Sequence, residues 1–287
     1  MKQLTVISGK GGTGKTTITA GFAALSKNTV FADCDVDASN LHLLLNPEVK
    51  ETMEFKGLKQ AVIDPELCTK CGLCMDLCKF NAIEDYYVDP IHCEGCKVCV
   101  VNCPVNAIDF VDRICGHAYI SDTRFGPMSH ARLTPGMENS GKLVTLVRQN
   151  AQKIAEEMEA NLVLVDGPPG IGCPVIASLS NIDISIIVVE PTLSGIHDLK
   201  RALGLLEHFE IEPMVIINKH DLNNDNTEDI TSFCKDNSIP LLGKIPFDED
   251  VTKAMVEGKT IIEYNNDSAS SKAIKNAWGN IQASLGV

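Results

Sequence analysis

Residues 9–17 read Gly9-Lys10-Gly11-Gly12-Thr13-Gly14-Lys15-Thr16-Thr17. The segment matches G-x4-G-K-[ST], the spacing of a P-loop. It lies between an apolar run at 4–7, which predicts a strand, and an apolar run at 18–25, which predicts a helix. Glycines let backbone N–H groups close around phosphate oxygens, and the N-terminus of the helix adds its dipole. The segment therefore predicts a nucleotide-phosphate site at the start of an α/β fold.

Two side chains of this segment carry specific chemistry. Lys15 is predicted to reach the β- and γ-phosphates, and the Thr16 hydroxyl is predicted to bind Mg²⁺. The stretch also satisfies G-x-G-x-x-G, and Asp33 lies at a distance suited to a ribose, as in dinucleotide sites. That alternative leaves Lys15 unexplained, because a dinucleotide loop has no use for a lysine there. The residues predicted to cradle the nucleotide are Gly11, Gly12, Thr13, Gly14, Lys15, Thr16 and Thr17.

A second pattern occurs twice, 25 residues apart, between residues 61 and 109. Both copies follow C-x2-C-x2-C-x3-C and end in Asn-Ala-Ile. This is the spacing by which thiolates hold a 4Fe–4S cube, and a doubled run implies two cubes. Zinc is the first alternative, but zinc sites usually pair two cysteines with two distant ligands. Disulfides are the second, and they suit small secreted domains.

The doubled run resembles a bacterial two-cluster ferredoxin. In that family the fourth cysteine of each run serves the other cluster. One departure is visible, because Lys79 stands where the first run usually has proline, whereas Pro104 follows the second run. The resemblance implies one cube on Cys68, Cys71, Cys74 and Cys103. It implies the other on Cys93, Cys96, Cys99 and Cys78.

The early lysine of the first motif narrows the family. The pattern K-G-G-x-G-K-[ST]-T, which begins at Lys10, resembles the deviant P-loop of the MinD-type ATPases, which include the partitioning ATPases and the nitrogenase iron protein. The segment 33–40 resembles their first switch, D-x-D-x4-N, and 162–170 resembles their second switch, a hydrophobic strand that ends in Asp166. The chain is similar in particular to superfamily members with an inserted ferredoxin, such as the ATPases of the orange-protein complex.

The resemblance implies roles for further residues. In this family the early lysine reaches across a dimer interface to the partner's nucleotide, so Lys10 is expected to act in catalysis beside Lys15. Asp33 and Asp166 are expected to hold Mg²⁺ together with Thr16. Asp35 is the candidate for orienting or activating the attacking water.

Three more positions are expected to contact the nucleotide. Asn40 is a candidate contact to the neighbouring subunit's nucleotide, with a helix N-cap as the alternative role. Residues 218–221 fit N-K-x-D, the guanine-reading motif of GTPases, but the deviant P-loop resembles ATP-binding members. ATP is therefore the expected substrate, with Asn218 reading adenine and Pro246 lining the base pocket.

Alternating strands and helices predict a doubly wound, mostly parallel α/β sheet with an inserted small ferredoxin domain. The ATPase domain is assigned to 1–59 and 113–287 and the insert to 60–112. Residues 114–141 are expected to form a β-hairpin or a loop. The predicted strands are 3–8, 29–34, 161–166, 184–190, 213–218 and 240–245. The predicted helices are 15–26, 142–160, 195–210, 226–237 and 268–285.

The charge and the apolar content of the chain indicate which classes of partner it can bind. The 287 residues carry a net charge of −13, which argues against nucleic-acid binding. The range 60–112 holds nine acidic residues and three lysines, which suits docking to a basic redox partner or simply a solvated surface. No apolar run reaches 18 residues, so no membrane span is expected. The C-terminal helix is expected to pack in the core rather than bind a membrane.

Twelve cysteines and no recognisable signal peptide predict a reducing cytoplasm. Of the four cysteines outside the runs, Cys34 and Cys234 are expected in the core. Cys115 is ambiguous. Cys173 lies seven residues after Asp166, the offset of a cluster-ligating cysteine in the nitrogenase iron protein, so a third, dimer-bridging cluster is conceivable.

The chain is thus expected to be an ATP-switched dimer, either a homodimer or a heterodimer with a paralogue. ATP, Mg²⁺ and two 4Fe–4S clusters are the expected cofactors. The favoured output is electron transfer to a redox partner. The alternatives are assembly of a metal–sulfur cluster on a partner and, less favoured, a partitioning or positioning switch.

Overall fold

The computed structural model describes residues 1–137 and 141–285. The strands are β1 Lys2–Ser8, β2 Thr29–Asp33, β3 Glu48–Ile63, β4 Ile83–Glu84, β5 Tyr87–Val88, β6 Ile108–Thr123, β7 Gly126–Leu133, β8 Leu162–Pro169, β9 Ile184–Val189, β10 Glu212–Asn218 and β11 Leu241–Ile245. The helices are α1 Lys15–Leu25, α2 Leu41–Leu45, α3 Leu73–Leu77, α4 Val98–Val101, α5 Lys142–Glu157, α6 Cys173–Ser178, α7 Leu193–His208, α8 Asn224–Asp236, α9 Glu249–Val256, α10 Ile261–Tyr264 and α11 Ala269–Leu285, with a 3₁₀ turn at His220–Leu222.

The large sheet is mostly parallel, as the alternation predicts. Its strand order is β11-β10-β9-β1-β8-β2-β7-β6-β3. β1 lies between β8 and β9 and runs parallel to both. The chain thus leaves β1 at the point where the strand order reverses, and the crevice at such a point is where open α/β sheets bind ligands. The predicted α/β class is confirmed.

Burial on both faces explains the composition of the central strands. Every residue of β9 is buried, so a continuous run of Ile and Val replaces the alternation of a half-exposed strand. On one face α1 and α11 pack together, with the rings of Phe22 and Trp278 at 5.2 Å. The apolar positions of α11 lie in this core, among them Ile274 and Ile281. The expectation of a core-packed C-terminal helix is confirmed.

The segment after the cysteine runs forms a hairpin. β6 and β7 are neighbours in the sheet and are joined by Arg124 and Phe125 alone, and β7 then pairs with β2 in parallel. The expectation of a hairpin or loop at 114–141 is met for 114–133, while 138–140 lie outside the described residues. The sequence analysis missed the length of β6, which begins at Ile108, and the whole of β3. Most of β3 is exposed or half-exposed, so it lacks the apolar run of a central strand.

The chain divides into two compact units. The first comprises 1–52, 118–131 and 140–287, and the second comprises 53–117 and 132–139. Strands β3, β6 and β7 each pass from one unit into the other. The range 60–112 lies within the second unit.

Within the second unit the backbone repeats itself at the 25-residue spacing. Three pairs of equivalent positions have positive φ, namely Lys70 and Gly95, Gly72 and Lys97, and Asn81 and Asn106. The two copies also exchange hydrogen bonds. The N–H of Asp64 donates to the Ala107 carbonyl at 2.8 Å, and the equivalent Asp89 N–H donates to the Ala82 carbonyl at 2.8 Å. The start of each copy is therefore hydrogen-bonded to the end of the other copy in the same way. These two bonds join the copies into one small unit.

Candidate functional site

The loop between β1 and α1 has the conformation of a phosphate cradle. Gly12 and Gly14 have φ of 83° and 86°, a region that L-residues rarely adopt. At Gly14 there is also no room, because a Cβ would lie 2.2 Å from Nδ2 of Asn218. The Thr13 hydroxyl is buried and has no hydrogen-bond partner among the described residues. Such an orphaned donor inside a glycine-rich loop fits an anionic ligand.

Lys15 and Asp166 form a buried ion pair at the end of this loop. Lys15 Nζ lies 2.9 Å from Asp166 Oδ1 and 3.6 Å from Asp35 Oδ2. Burial lowers the pKa of Lys15, but the surrounding carboxylates, Asp166 first, outweigh it and raise the pKa above its ordinary value. Thr16 donates to the other oxygen of Asp166 at 2.7 Å. The predicted phosphate lysine and two of the three predicted Mg²⁺ residues, Thr16 and Asp166, therefore meet in one place.

Asp33 is completely buried and organises the predicted first switch. Its carboxylate accepts hydrogen bonds from the Ser39 hydroxyl at 2.6 Å and from the backbone N–H of Asp35 and Leu41. Burial raises its pKa to about 7, and the nearby Asp166 carboxylate adds to the rise. β2 and β8 place Asp33 beside Asp166 in register. Oxygen ligands of this kind are those that Mg²⁺ prefers, so the donor set fits the ion.

A cleft of about 520 Å³ opens beside the P-loop and is lined by Lys15, Thr16 and Asp35, whereas the buried Asp33 and Asp166 do not line it. One wall is the polar P-loop, and the other includes the apolar side chains of Leu43, Pro246 and Met255. This division suits a ligand with a charged end and an apolar end. The predicted site residues that line the cleft are Gly11, Gly12, Thr13, Gly14, Lys15, Thr16, Thr17, Asp35, Asn40, Asn218 and Pro246.

Lys10 lies outside this cleft. Its ammonium lies 3.7 Å from Glu190 Oε2 and donates to the hydroxyls of Ser194 at 3.2 Å and Thr192 at 3.5 Å. Glu190 also pairs with Lys219 at 2.6 Å. In this single chain, Lys10 is therefore held by the chain's own 190–194 segment. Its expected reach to a partner's nucleotide stays a prediction.

Asn218 and Asn40 contact the cleft in different ways. The Asn218 side chain donates to the carbonyl of Thr13 at 2.8 Å, so its amide nitrogen supports the P-loop. Its expected adenine contact stays a prediction. Asn40 precedes α2 without making a side-chain capping bond, so the alternative N-cap role is not realised in this structure.

Sequence reasoning missed two supporting residues of this site. Thr19 donates to Asp166 at 3.1 Å from the first turns of α1. Glu190, at the end of β9, joins Lys10 to Lys219. Glu190 could have been predicted as a site residue, because its carboxylate comes directly after a buried strand. A threonine inside a helical run carries no such signal.

The eight cysteines of the two runs surround two small cavities in the second unit. Each cavity is lined by three cysteines of one run and the fourth cysteine of the other. The backbone N–H of Ala82 donates to Cys78 Sγ at 3.4 Å, and that of Ala107 donates to Cys103 Sγ at 3.3 Å. The first cavity contains Cys68, Cys71, Cys74 and Cys103, and the second contains Cys93, Cys96, Cys99 and Cys78.

No three His, Cys, Asp or Glu side chains of the described residues converge as ligands of a single metal ion. A 4Fe–4S cube makes a different demand, because each thiolate binds its own iron and the four sulfurs surround a volume. The two cysteine sets have the donor type and number that such cubes need. Four thiolates are also the ligands of some structural zinc sites, so the two clusters stay a prediction.

The remaining cysteines lie in three kinds of environment. Cys34 and Cys234 are buried, and burial raises the pKa of their thiols to about 12 and about 11. The expectation that both are core residues is confirmed. Cys115 is buried and accepts a hydrogen bond from the Leu58 N–H. Cys173 is exposed at the start of α6, and its part in a third cluster stays a prediction.

Among the helices of residues 1–137 and 141–285, none is both long enough and apolar enough to cross a bilayer.

Comparisons with known proteins agree with the P-loop geometry. The family model described as the CobQ/CobB/MinD/ParA nucleotide binding domain matches residues 4–261. An uncharacterised protein of Methanocaldococcus jannaschii is 35% identical over 279 residues, which cover 96% of this chain and 95% of that protein. The septum site-determining protein MinD of Bacillus subtilis is 27% identical over 282 residues, which cover 93% of this chain and 84% of MinD.

A solved structure shares the fold. MinD of Pyrococcus horikoshii, complexed with Mg-ADP, superposes with a TM-score of 0.62 at 16% identity. The match covers 99% of this chain and 97% of that one. At this identity the likeness shows the α/β fold alone.

Proposed function

The chain belongs to the CobQ/CobB/MinD/ParA family of nucleotide-binding domains, and we propose from this premise that it is a Mg²⁺-dependent ATPase whose second unit carries two 4Fe–4S clusters. The observation that carries the proposal is the exchange of the fourth cysteines. Cys103 lines the cavity of the first run and Cys78 lines that of the second. Neither zinc binding nor a disulfide framework requires this arrangement, whereas it is the ligand pattern of two-cluster ferredoxins.

The nucleotide half of the proposal rests on the first unit. Lys15 and the P-loop backbone would hold the phosphates, and Thr16 with Asp33 and Asp166 would hold Mg²⁺, directly or through water. When bound, Mg²⁺ neutralises charge that develops on the phosphates. Asp35 lies 3.6 Å from Lys15 and lines the cleft, which supports the proposal that it orients the attacking water.

The iron–sulfur half rests on the eight thiols. When bound, each cluster supplies one-electron transfer. The runs are complete, with four thiols each, which favours a permanent electron carrier over a scaffold that releases its cluster. We therefore favour nucleotide-gated electron transfer to a redox partner over assembly of a metal–sulfur cluster on a partner.

A positioning role is the second candidate, and the match to MinD favours it. The clusters would then be structural. Some switches of this type bind a membrane through a C-terminal helix, but here the apolar positions of α11 are buried in the core. In the dimer expected of this family, the other subunit would be a second copy or a paralogue. The electron-transfer proposal adds a redox protein as a further partner.

Iron analysis tests the proposal directly. Anaerobically purified protein should contain about eight iron and eight sulfide per chain and should hydrolyse ATP in the presence of Mg²⁺. Four or fewer iron atoms in fully reconstituted protein, or stoichiometric zinc, would contradict the iron–sulfur half. Absence of nucleotide binding would contradict the other half. Cluster transfer to an iron-free acceptor, without electron transfer, would favour the assembly role.

A further inference from the structure

The N-K-x-D segment has a contact that the proposed ATP site does not explain. Asp221, the last residue of the motif, accepts a hydrogen bond from the backbone N–H of Phe247 at 2.7 Å. The described residues that line the cleft include Asn218, Lys219 and Phe247, and Asp221 is not among them. One oxygen of the carboxylate that corresponds to the guanine reader of a GTPase is therefore hydrogen-bonded here to the protein's own backbone.

Residues 246–248 are anchored at three successive positions. Ser270 donates to the carbonyl of Pro246 at 3.1 Å, and Asp221 holds the N–H of Phe247. The Asp248 carboxylate accepts from the N–H of Asp250 and caps α9. These contacts fix the backbone from which the Phe247 side chain projects.

The Phe247 side chain makes none of these anchoring contacts and can therefore contact a ligand in the cleft. It lines the cleft, yet 51% of the residue stays exposed to solvent. An aromatic ring at the rim of a cleft, on an anchored backbone and beside apolar Pro246 and Met255, offers a flat surface for a planar apolar ligand group. The opposite wall of the cleft is the phosphate cradle, so the group at this end of a nucleotide is the base.

We propose that Phe247 is the stacking surface for the nucleobase and that Asp221 is a positioning residue that holds it there, so the N-K-x-D match does not read guanine. The inference rests on the proposed nucleotide site. It assigns the base specificity of that site to the shape and stacking of the 246–248 segment.

The neighbouring residues of the motif act in the same manner. Asn218 donates to the carbonyl of Thr13, and Lys219 donates to that of Gly12 at 3.3 Å. All three contacts go to backbone groups. The motif thus joins the P-loop to the base-side segment and aligns the two ends of the cleft.

Calorimetric titration of the whole chain with Mg²⁺ and ATP, GTP or xanthosine triphosphate tests the proposal. Phe247→Ala should weaken ATP binding about tenfold, because stacking of a base on an aromatic ring contributes about 1–3 kcal/mol. Asp221→Ala should weaken ATP binding by a similar factor. Asp221→Asn should restore it, because the amide oxygen can still accept from the Phe247 N–H. Phe247→Trp should bind ATP at least as well as wild type.

Asp225→Ala is the matched control, because Asp225 is an exposed acid of the same region that does not line the cleft. Thermal unfolding of each variant separates misfolding from loss of the contact. The proposal is overturned if Asp221→Asn gains affinity for xanthosine triphosphate, which is the result expected of a guanine reader. It is also overturned if Phe247→Ala or Asp221→Ala binds ATP like wild type. If the wild-type chain binds no nucleotide at all, the proposed function itself fails.

Discussion

At the scale of single residues, Asp166 links the chemistry of the site to its folding. Its carboxylate is fully buried and accepts hydrogen bonds from Lys15, Thr16 and Thr19. A buried charge is stable only while its partners remain, because no water replaces them. Lys15 is therefore expected both to bind phosphate and to neutralise the buried Asp166 carboxylate.

Lys15→Ala is expected to abolish ATP hydrolysis and also to lower the free energy of unfolding by about 3 kcal/mol, since it leaves Asp166 buried without its cation. Phosphate release and urea unfolding measure the two effects. The double variant Lys15→Ala/Asp166→Asn should recover stability without recovering hydrolysis. Hydrolysis at the wild-type rate by Lys15→Ala would show that the phosphate role of Lys15 is wrong.

Asp33 predicts a dependence of stability on pH. Its pKa is about 7 in the folded chain against an ordinary value of 3.8. Between those values the folded state keeps the proton and the unfolded state releases it, so the contribution of Asp33 to stability falls as the pH rises from about 4 to about 7. Urea unfolding of nucleotide-free protein at pH 5 and pH 7.5 should show this decline, and Asp33→Asn should reduce it. An equal decline in Asp33→Asn would assign it to other groups.

At the scale of elements, the 190–194 segment and the P-loop meet at Lys10. Contacts with Glu190 and Ser194 hold the lysine of the deviant P-loop within its own chain. A dimer in which Lys10 reaches the partner's nucleotide must replace these contacts. That replacement stays a prediction, because the structure shows only the contacts within one chain.

Lys10→Ala should therefore reduce the ATP turnover number severalfold more than it reduces nucleotide affinity, because Lys10 lies outside the cleft of its own chain. Calorimetry and steady-state kinetics separate the two quantities. Lys27→Ala, a change of an exposed lysine just after α1, is the control. If the Lys10→Ala variant turned over ATP at the wild-type rate, the prediction that Lys10 acts in catalysis across a dimer interface would be wrong.

The two cysteine runs make a prediction at the same scale. Because Cys103 lines the cavity of the first run, Cys103→Ser should disturb the cluster of Cys68, Cys71 and Cys74 and leave the other cluster intact. Iron content should fall from about eight to about four per chain. Cys173→Ser is the control. Loss of iron from that control would instead show that Cys173 joins a third cluster.

At the scale of the whole molecule, β3, β6 and β7 carry the chain between the two units. All three strands lie between the two predicted switches in sequence, since β3 follows Asn40 and β7 precedes β8. A nucleotide can shift the state of the second unit only through a difference in affinity between two states. Such a coupling acts in both directions.

The reduction potentials of the clusters, or the rate of electron transfer to a partner, should therefore differ between ADP and a non-hydrolysable ATP analogue. Redox titration in each nucleotide state measures the first quantity, and ATPase assays on oxidised and reduced protein measure the reciprocal effect. Identical values in every state, with the partner present, would leave the clusters uncoupled. A structural or assembly role would then be the better proposal.

The sequence alone was sufficient where function depends on local spacing. The P-loop needs its glycines, Lys15 and Thr16 within nine residues, and the strand before it and the helix after it are short-range patterns. Buried parallel strands such as β9 are continuous Ile and Val runs, so their positions could also be predicted. The roles of Asp33 and Asp166 were expected only from the resemblance to the switch segments of a known family.

Only the tertiary structure decided which distant groups meet. It showed that β7 becomes the parallel partner of β2, that Lys10 lies on Glu190, and that Asp221 holds Phe247 rather than facing the cleft. It also placed Cys103 with the first run, which the sequence had suggested only by resemblance. The physical reason is that a hydrogen bond or ion pair between residues far apart in the chain leaves no periodic pattern in the sequence around either partner.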